Sequence, residues 1–143
     1  MRENIFKAKT TKKDNPINAF NNVWVEGDLV RSGGKYYIHP IANKVKIDGE
    51  LGKIIVMHEV EPNTICQYTG LTDKNGKKIW ENDILVEKHK GIITMKYRVV
   101  FDLEEGAWLL ETKSGARYGI GAVNQRSFEA CGNIFDNTEL MEV

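Results

Sequence analysis

Two short segments each place a glutamate and an aspartate two residues apart, a spacing that could support acid–base chemistry. Glu26 and Asp28 lie in W-V-E-G-D-L-V at 24–30, and Glu81 and Asp83 lie in W-E-N-D-I-L-V at 80–86. Residues i and i+2 of a strand share a face, so either pair could act as general acid and general base. A paired-carboxylate site also needs groups that orient a substrate, and the neighbouring sequence offers none. We therefore interpret both segments as architecture.

The two segments align so that Gly27 and Asn82 occupy the same place. Glycine and asparagine are the residue types that best tolerate a positive φ. The alignment predicts a tight turn or bulge that enters a strand beginning at Asp28 or Asp83. In each case the aspartate is expected to accept a backbone N–H, and the apolar run that follows is expected to continue into the core.

The remaining motifs do not indicate an enzyme, a metal or a cofactor. D-K-N-G at 73–76 lacks the spacing of a calcium loop, and it predicts a hairpin turn with Asn75 and Gly76 in the left-handed region. The three histidines are scattered, and no serine or cysteine lies in a nucleophile motif. The sequence predicts a protein that is not an enzyme, with no catalytic residues and no bound cofactor.

The best candidate for a binding face is a basic hairpin with an aromatic residue, Tyr97, in its second strand. Small β-barrels bind oligonucleotides or peptides across such faces. Because Tyr97 alternates with the basic residues, it is expected to face the core, and the alternative interpretation is a solvated charged face. The five candidate residues are Lys88, His89, Lys90, Lys96 and Arg98.

Charge and composition narrow the class of protein. The chain has 143 residues, 20 basic and 20 acidic, so its formal net charge is zero, which weakens a general case for binding nucleic acid or acidic membranes. No stretch has the length of a membrane span, and the N-terminal segment lacks the apolar core of a signal peptide. Cys66 and Cys131 lie in apolar stretches, and we expect reduced, buried thiols in a cytoplasmic protein.

The dominant hydrophobic period is two, which predicts a mainly β protein with little helix. The clearest strand is 92–101, where Ile93, Met95, Tyr97, Val99 and Phe101 fall on one face and are expected to be core. Glycine-containing turns divide the rest of the chain into short strands, as in a small barrel or roll. Predicted strands are 44–47, 53–60, 107–112, 116–120 and 128–135, a predicted hairpin surrounds R-S-G-G-K at 31–35, and single helical turns are predicted at 122–126 and after Asn137.

The stretch C-Q-Y-T-G-L-T-D-K-N-G-K-K-I-W-E-N-D-I-L at 66–85 closely resembles the signature of the YopX family, small proteins common in bacteriophages and prophages. W-V-E-G-D-L-V, I-H-P at 38–40 and G-N-I-F-D-N-T-E-L at 132–140 are similar to the family in letters and spacing. Asn82 stands where the family usually has glycine, which leaves the exact turn conformation open.

The resemblance implies a β-rich N-terminal region, residues 1–65, and a C-terminal Src-homology-3-like small barrel, residues 66–143. It carries over no catalytic residue and no cofactor. The favoured hypothesis is a non-enzymatic interaction module that binds itself or a phage or host protein. The alternative is a nucleic-acid-binding accessory protein of a phage or prophage.

Overall fold

The chain folds into antiparallel β-sheets, as the period-two pattern predicts. The structure is a computed structural model, and it describes residues 4–11, 22–40, 44–47, 50–53, 57–121 and 127–141. These residues contain strands and short 3-10 turns but no α-helix. The backbone contacts divide the chain into two compact units, Met1–Gln67 and Tyr68–Val143.

The first unit is a sheet of short strands built around one glycine hairpin. Gly33 and Gly34 both have positive φ (60° and 77°), so the predicted R-S-G-G-K turn is a two-residue hairpin of the primed type. The strands are β1 (Phe6–Lys9), β2 (Trp24–Ser32), β3 (Lys35–Pro40), β4 (Lys44–Ile47), β5 (Glu50–Lys53) and β6 (His58–Glu59), followed by a 3-10 turn at Pro62–Thr64 and the start of β7 (Cys66–Thr72).

Pairing in the first unit runs β6-β3-β2-β1-β7, and β4 pairs with β5 as a separate hairpin. Ala8, Ile38 and Val60 form its buried core. The predicted strand at 53–60 is seen only at its ends, and residues 54–56 lie outside the described part of the chain.

The second unit is a five-stranded antiparallel sheet in the order β12-β11-β10-β9-β13, beside a short hairpin of β7 with β8. Its core contains Leu85, Tyr97, Leu110 and Phe128, and the rings of Tyr97 and Phe128 meet edge to face at 5.5 Å. The strands are β8 (Lys78–Trp80), β9 (Asp83–His89), β10 (Ile92–Asp102), β11 (Ala107–Glu111), β12 (Arg117–Gly119) and β13 (Phe128–Asn133), with a final 3-10 turn at Thr138–Met141.

The prediction of a closed C-terminal barrel is wrong for the residues described. β12 and β13 are the two edges of the five-stranded sheet, and no ladder joins them. Only three residues pair β12 with β11. The helical turn predicted at 122–126, between these two strands, lies outside the described residues. Strand period and turn composition set the number of strands, but they do not determine whether the last strand reaches the first.

The predicted core face of β10 is correct in the middle of the strand and wrong at its ends. Tyr97 and Val99 are buried, whereas Ile93, Met95 and Phe101 are exposed. The pairing of β10 with β9 shifts between Ile93 and Met95, so Thr94 is an extra residue in a bulge. One extra residue reverses the alternation, which places Ile93 on the opposite face from Met95 and Tyr97. Met95 and Phe101 keep the predicted face but lie where the core ends.

Candidate functional site

The basic hairpin predicted from the sequence exists, and it is the turn between β9 and β10. Lys90 and Gly91 both have positive φ (52° and 80°), which makes the tip a type I′ turn whose twist matches its strands. His89 pairs with Ile92 directly beneath the tip. Both His89 and Lys90 are exposed, and Lys90 forms no ion pair within the described residues.

The strand register brings three of the predicted basic residues to one face of the sheet. Lys88 alternates with Val86 and Ile84 along β9, while Lys96 lies opposite Val86 and Arg98 lies opposite Ile84. Ile84 and Val86 are themselves buried on this face. Lys88 is exposed and Lys96 and Arg98 are half-buried, so each of these side chains keeps some contact with solvent.

Two of the three cations on this face, Lys88 and Arg98, already have acceptors. Glu129, opposite Val86 on β13, forms ion pairs with Lys88 at 3.1 Å and with Lys74 at 3.5 Å. The hydrogen bond and charge of Lys88 hold the pKa of Glu129 below its ordinary value. Arg98 donates to the Oδ1 of Asn82 at 3.0 Å and 3.3 Å. Lys88 is therefore compensated by an opposite charge and Arg98 is held by a neutral amide, so both are less available to phosphates than an unpaired cation would be.

Tyr97 lies on the opposite face from Lys96 and Arg98, as the alternation predicts, and it is buried. Its hydroxyl donates to the Glu87 carboxylate at 2.6 Å. Burial, together with that hydrogen bond and the charge of Glu87, raises the pKa of Tyr97 to about 12. A buried ring on the far face cannot stack on a base, so Tyr97 does not provide an aromatic platform beside these basic residues.

The segment Trp80–Asp83 is structural, as predicted. Asn82 has a positive φ of 68°, and β9 begins at the next residue. The Asp83 carboxylate accepts the backbone N–H of Trp80 at 2.9 Å, and the backbone N–H of Asn82 donates to Val99 at 2.8 Å. These contacts give Asp83 a structural role, because its carboxylate closes the turn that enters β9.

The supposed counterpart, Gly27, is not a turn residue, so the shared-turn prediction is wrong there. Gly27 lies inside β2, its φ is not positive, and it pairs with Pro40 of β3. A Cβ at this position would lie 2.7 Å from the carbonyl carbon of His39 and 2.9 Å from the Cα of Pro40. Glycine is required here because two strands approach closely, a different reason from the one at Asn82.

Asp73 connects the β7–β8 turn to β13. Its carboxylate is buried and accepts the backbone N–H groups of Asn75 at 2.8 Å, Lys77 at 2.9 Å and Ala130 at 2.9 Å. The predicted hairpin turn is present, with Gly76 at φ 80°. The prediction that Asn75 is also left-handed is wrong, because the turn has three residues and needs only one such position.

Cys66 and Cys131 are both free thiols, but only Cys66 is buried. The prediction that Cys131 is buried is wrong, because Cys131 is the extra residue of a bulge in the edge strand β13, between Ala130 and Gly132. Partial desolvation raises the pKa of the Cys131 thiol, so it is not an activated nucleophile. No cluster of metal-ligating side chains, and no helix long and apolar enough to span a membrane, occurs in the part of the chain that is described.

Sequence reasoning missed a set of exposed apolar side chains at the two ends of β10. Ile92 is 69% exposed and Leu103 is 89% exposed, and both belong to hairpin tips. Beside the first tip, Ile93, Met95 and Thr112 line a shallow groove of about 370 Å³. The apolar run at 92–101 contains most of these residues, but the period-two pattern assigned Ile93, Met95 and Phe101 to the core. In the part of the chain whose burial is described, the exposed large apolar residues are Val23, Met57, Ile92, Ile93, Met95, Phe101, Leu103 and Tyr118.

Comparison with known proteins gives a family and a fold. A family model described as YopX protein matches residues 17–142, most of the chain. No curated protein matches. Among solved structures, the crystal structure of protein EF1440 from Enterococcus faecalis is similar over 99% of this chain and 100% of that one, with a TM-score of 0.51 and 20% sequence identity. At that identity the similarity concerns the fold alone.

Proposed function

The chain belongs to the YopX family, and from its geometry we propose that it is a non-enzymatic module that binds proteins, either a second copy of itself or a phage or host protein. One observation carries the proposal. Among the described residues, six of the eight exposed large apolar side chains lie between Ile92 and Tyr118, on the hairpins of one sheet. Five of the six form two groups, one at each end of β10, and exposed apolar residues that are grouped rather than scattered singly mark interaction surfaces.

The chemistry of the polar residues supports the same proposal. Asp73 and Asp83 both accept backbone N–H groups, and so neither carboxylate is aimed at a substrate. The phage or prophage context and the cytoplasmic location are carried over as parts of the proposal, supported by the family resemblance and by the reduced thiols. A Src-homology-3-like roll is also part of the proposal. It is supported by the meander of β9 to β12 and by β13, which comes last in the chain and pairs with β9.

Site-specific photo-crosslinking tests the proposal. A benzophenone amino acid is placed at Ile93 and, as the matched control, at Val23, an exposed apolar residue of the first unit (46% and 41% exposed). After irradiation of bacterial cells, we expect an adduct of one discrete mass from position 93 and none from position 23. The adduct should disappear when Ile92→Ser and Met95→Ser are added. Absence of a discrete adduct, or equal adducts at both positions, would contradict the proposal.

Nucleic-acid binding is the competing function, and the exposed tip residues His89 and Lys90 are the features that favour it. Titration of fluorescent single- and double-stranded DNA at two salt concentrations separates the two functions. Phosphate contacts release counterions, so genuine binding weakens steeply with added salt. Because Lys88 and Arg98 already have acceptors, we expect no salt-sensitive binding in the micromolar range.

A further inference from the structure

The two ends of β10 carry opposite charges, and each end is also apolar. The β9–β10 tip presents Lys90 and His89 beside Ile92 and Ile93, and this basic tip, residues 88–95, contains no acid. The β10–β11 tip, residues 101–106, presents Glu104 and Glu105 beside Leu103, and it contains no base. Within the described residues, Lys90, Glu104 and Glu105 form no ion pairs.

Hydrogen bonds within the acidic tip hold its turn in one conformation. The Asp102 carboxylate accepts the backbone N–H of Glu104 at 2.8 Å, and Gly106 closes the turn with a positive φ of 62°. Asp102, at the base of the turn, also forms an ion pair with Arg117 at 3.4 Å. The outer residues Leu103, Glu104 and Glu105 remain exposed to solvent. Leu103 is the most exposed of the large apolar side chains described, although it lies in a turn closed by hydrogen bonds.

One molecule cannot bring its own two tips together. The first and last residues of β10 are ten positions apart, which is about 33 Å at the rise of a strand. A second copy of the chain can supply the missing complement at each end. Resting on the proposed function, we propose that the chain associates with copies of itself head to tail, the basic tip of one copy against the acidic tip of the next.

The geometry of this contact determines the kind of assembly. The two surfaces that meet are different, so the contact is heterologous. Each dimer therefore has one unused basic tip and one unused acidic tip. Further copies can add at these tips, which generates an open fibre, or a ring if the last copy meets the first. A contact between two hairpin tips buries less than the roughly 1,200 Å² of a stable complex. Association is therefore expected to be weak, dependent on concentration, and weaker in about 1 M salt, where the Debye length falls to about 3 Å.

Sedimentation velocity with one-ended variants tests this contact. Lys90→Ser with Ile92→Ser blocks the basic tip, and Leu103→Ser with Glu104→Gln and Glu105→Gln blocks the acidic tip. The control for the basic tip, Val23→Ser with Lys35→Ser, removes one exposed apolar residue and one exposed lysine from the first unit. All of these side chains are exposed, so thermal unfolding should confirm that each variant is folded.

We expect the unmodified chain and the control to sediment faster between about 10 and 500 μM, which brackets the weak association of a small interface. Each blocked variant should remain monomeric. An equimolar mixture of the two should form a complex of two chains and nothing larger, because only one productive contact remains. A monomeric unmodified chain, association of either blocked variant, or no complex in the mixture would each overturn the proposal.

The result separates this inference from the proposed function. If the unmodified chain stays monomeric while the crosslink at position 93 still captures one protein of a different mass, head-to-tail association is wrong and the interaction module stands. If position 93 captures nothing and the chain stays monomeric, both fail.

Discussion

Removing the Asp73 carboxylate should destabilise the second unit, and the structure gives the size of the effect. Two of its three donors, Asn75 and Lys77, are exposed, so water replaces the carboxylate there at a cost of about 0.5 kcal/mol each. The third donor belongs to Ala130, which is buried, and leaving its N–H without an acceptor costs about 1–3 kcal/mol. We expect Asp73→Ala to lower the free energy of unfolding by about 3 kcal/mol, or the melting temperature by roughly 10 °C.

Asparagine at the same position distinguishes hydrogen bonding from packing. Asp73→Asn preserves the size of the side chain but supplies only one acceptor oxygen. The NH2 group of asparagine must then face either the N–H of Ala130 or the N–H groups of the turn. Two donors would face each other there, so no hydrogen bond can form. We expect a loss of about 2 kcal/mol, close to that of alanine. If asparagine were neutral, the shape of the side chain rather than its hydrogen bonds would hold the turn.

The destabilisation should depend on pH with a defined sign. Burial alone would raise the pKa of Asp73, but the hydrogen bonds from Ala130, Lys77 and Asn75 outweigh it and hold the pKa below its ordinary value of 3.8. The stabilisation is therefore present in full above the pKa of the unfolded chain, and it is lost as the pH falls through the folded-state pKa. The difference between the unmodified chain and Asp73→Ala should be constant at neutral pH and should narrow below about pH 4.

Denaturant unfolding at pH 7 and pH 3 measures both quantities, and Asp102→Ala provides the matched control. Asp102 also accepts turn N–H groups, from Glu104 and Glu105, but all of its donors are exposed. Its loss should cost less than about 1 kcal/mol. Equal losses of unfolding free energy in Asp73→Ala and Asp102→Ala would show that the buried N–H of Ala130 is not the main source of the effect. An Asp73 effect of the same size at both pH values would refute the pKa argument.

Three further outcomes follow from the geometry. Gly27→Ala should lower the free energy of unfolding by more than about 3 kcal/mol, because the added Cβ would clash with the backbone of β3. Gly34→Ala has open space around it and should cost about 1 kcal/mol. Similar melting temperatures for the two variants would contradict this prediction. Asn82→Gly removes the acceptor of half-buried Arg98 and should cost about 1 kcal/mol in thermal unfolding, whereas Asn82→Val also places a β-branched residue at a positive φ and should cost about 2 kcal/mol more; the reverse order would show that φ does not decide this position. Tyr97 should ionise near pH 12 in ultraviolet titration, and Tyr97→Phe should remove this late step. Its contribution to stability should be present in full below about pH 10 and should be lost as the pH rises towards 12. A titration of all tyrosines at their ordinary pKa would exclude the buried hydrogen bond.

The sequence predicts the strands and turns well because both depend on local chemistry. Alternation of apolar residues identifies β10, and the paired glycines at 33 and 34 identify the β2–β3 hairpin. Alternation shows only which residues of a strand share a face, however. The bulge at Thr94 moves the residues before it to the opposite face, and nothing in the composition signals it. Alternation also gives no information on where a core ends, which is why Met95 and Phe101 were expected to be buried.

Glycine was ambiguous for a related reason. A glycine can be required by its own φ or by the space that a neighbour occupies, and the sequence around Gly27 resembles that around Asn82 closely enough to suggest the first. Only the position of β3 shows that the second applies. The candidate basic residues were located correctly on one hairpin, but the ion pair of Lys88 with Glu129 depends on a strand 40 residues away in sequence. Pairings of that kind are not contained in local patterns.

The polar residues of the two signature stretches serve the scaffold of the second unit. Asp73 and Asp83 accept backbone N–H groups in the first stretch, while Asn133 and Asn137 do the same in the second, at 2.9 Å and 3.3 Å. Both charged tips, residues 88–95 and 101–106, lie outside these stretches. The features that identify the family therefore account for how the sheet is built. The residues proposed to make contact with another copy belong to the hairpin tips that the scaffold presents, where substitutions leave the core intact.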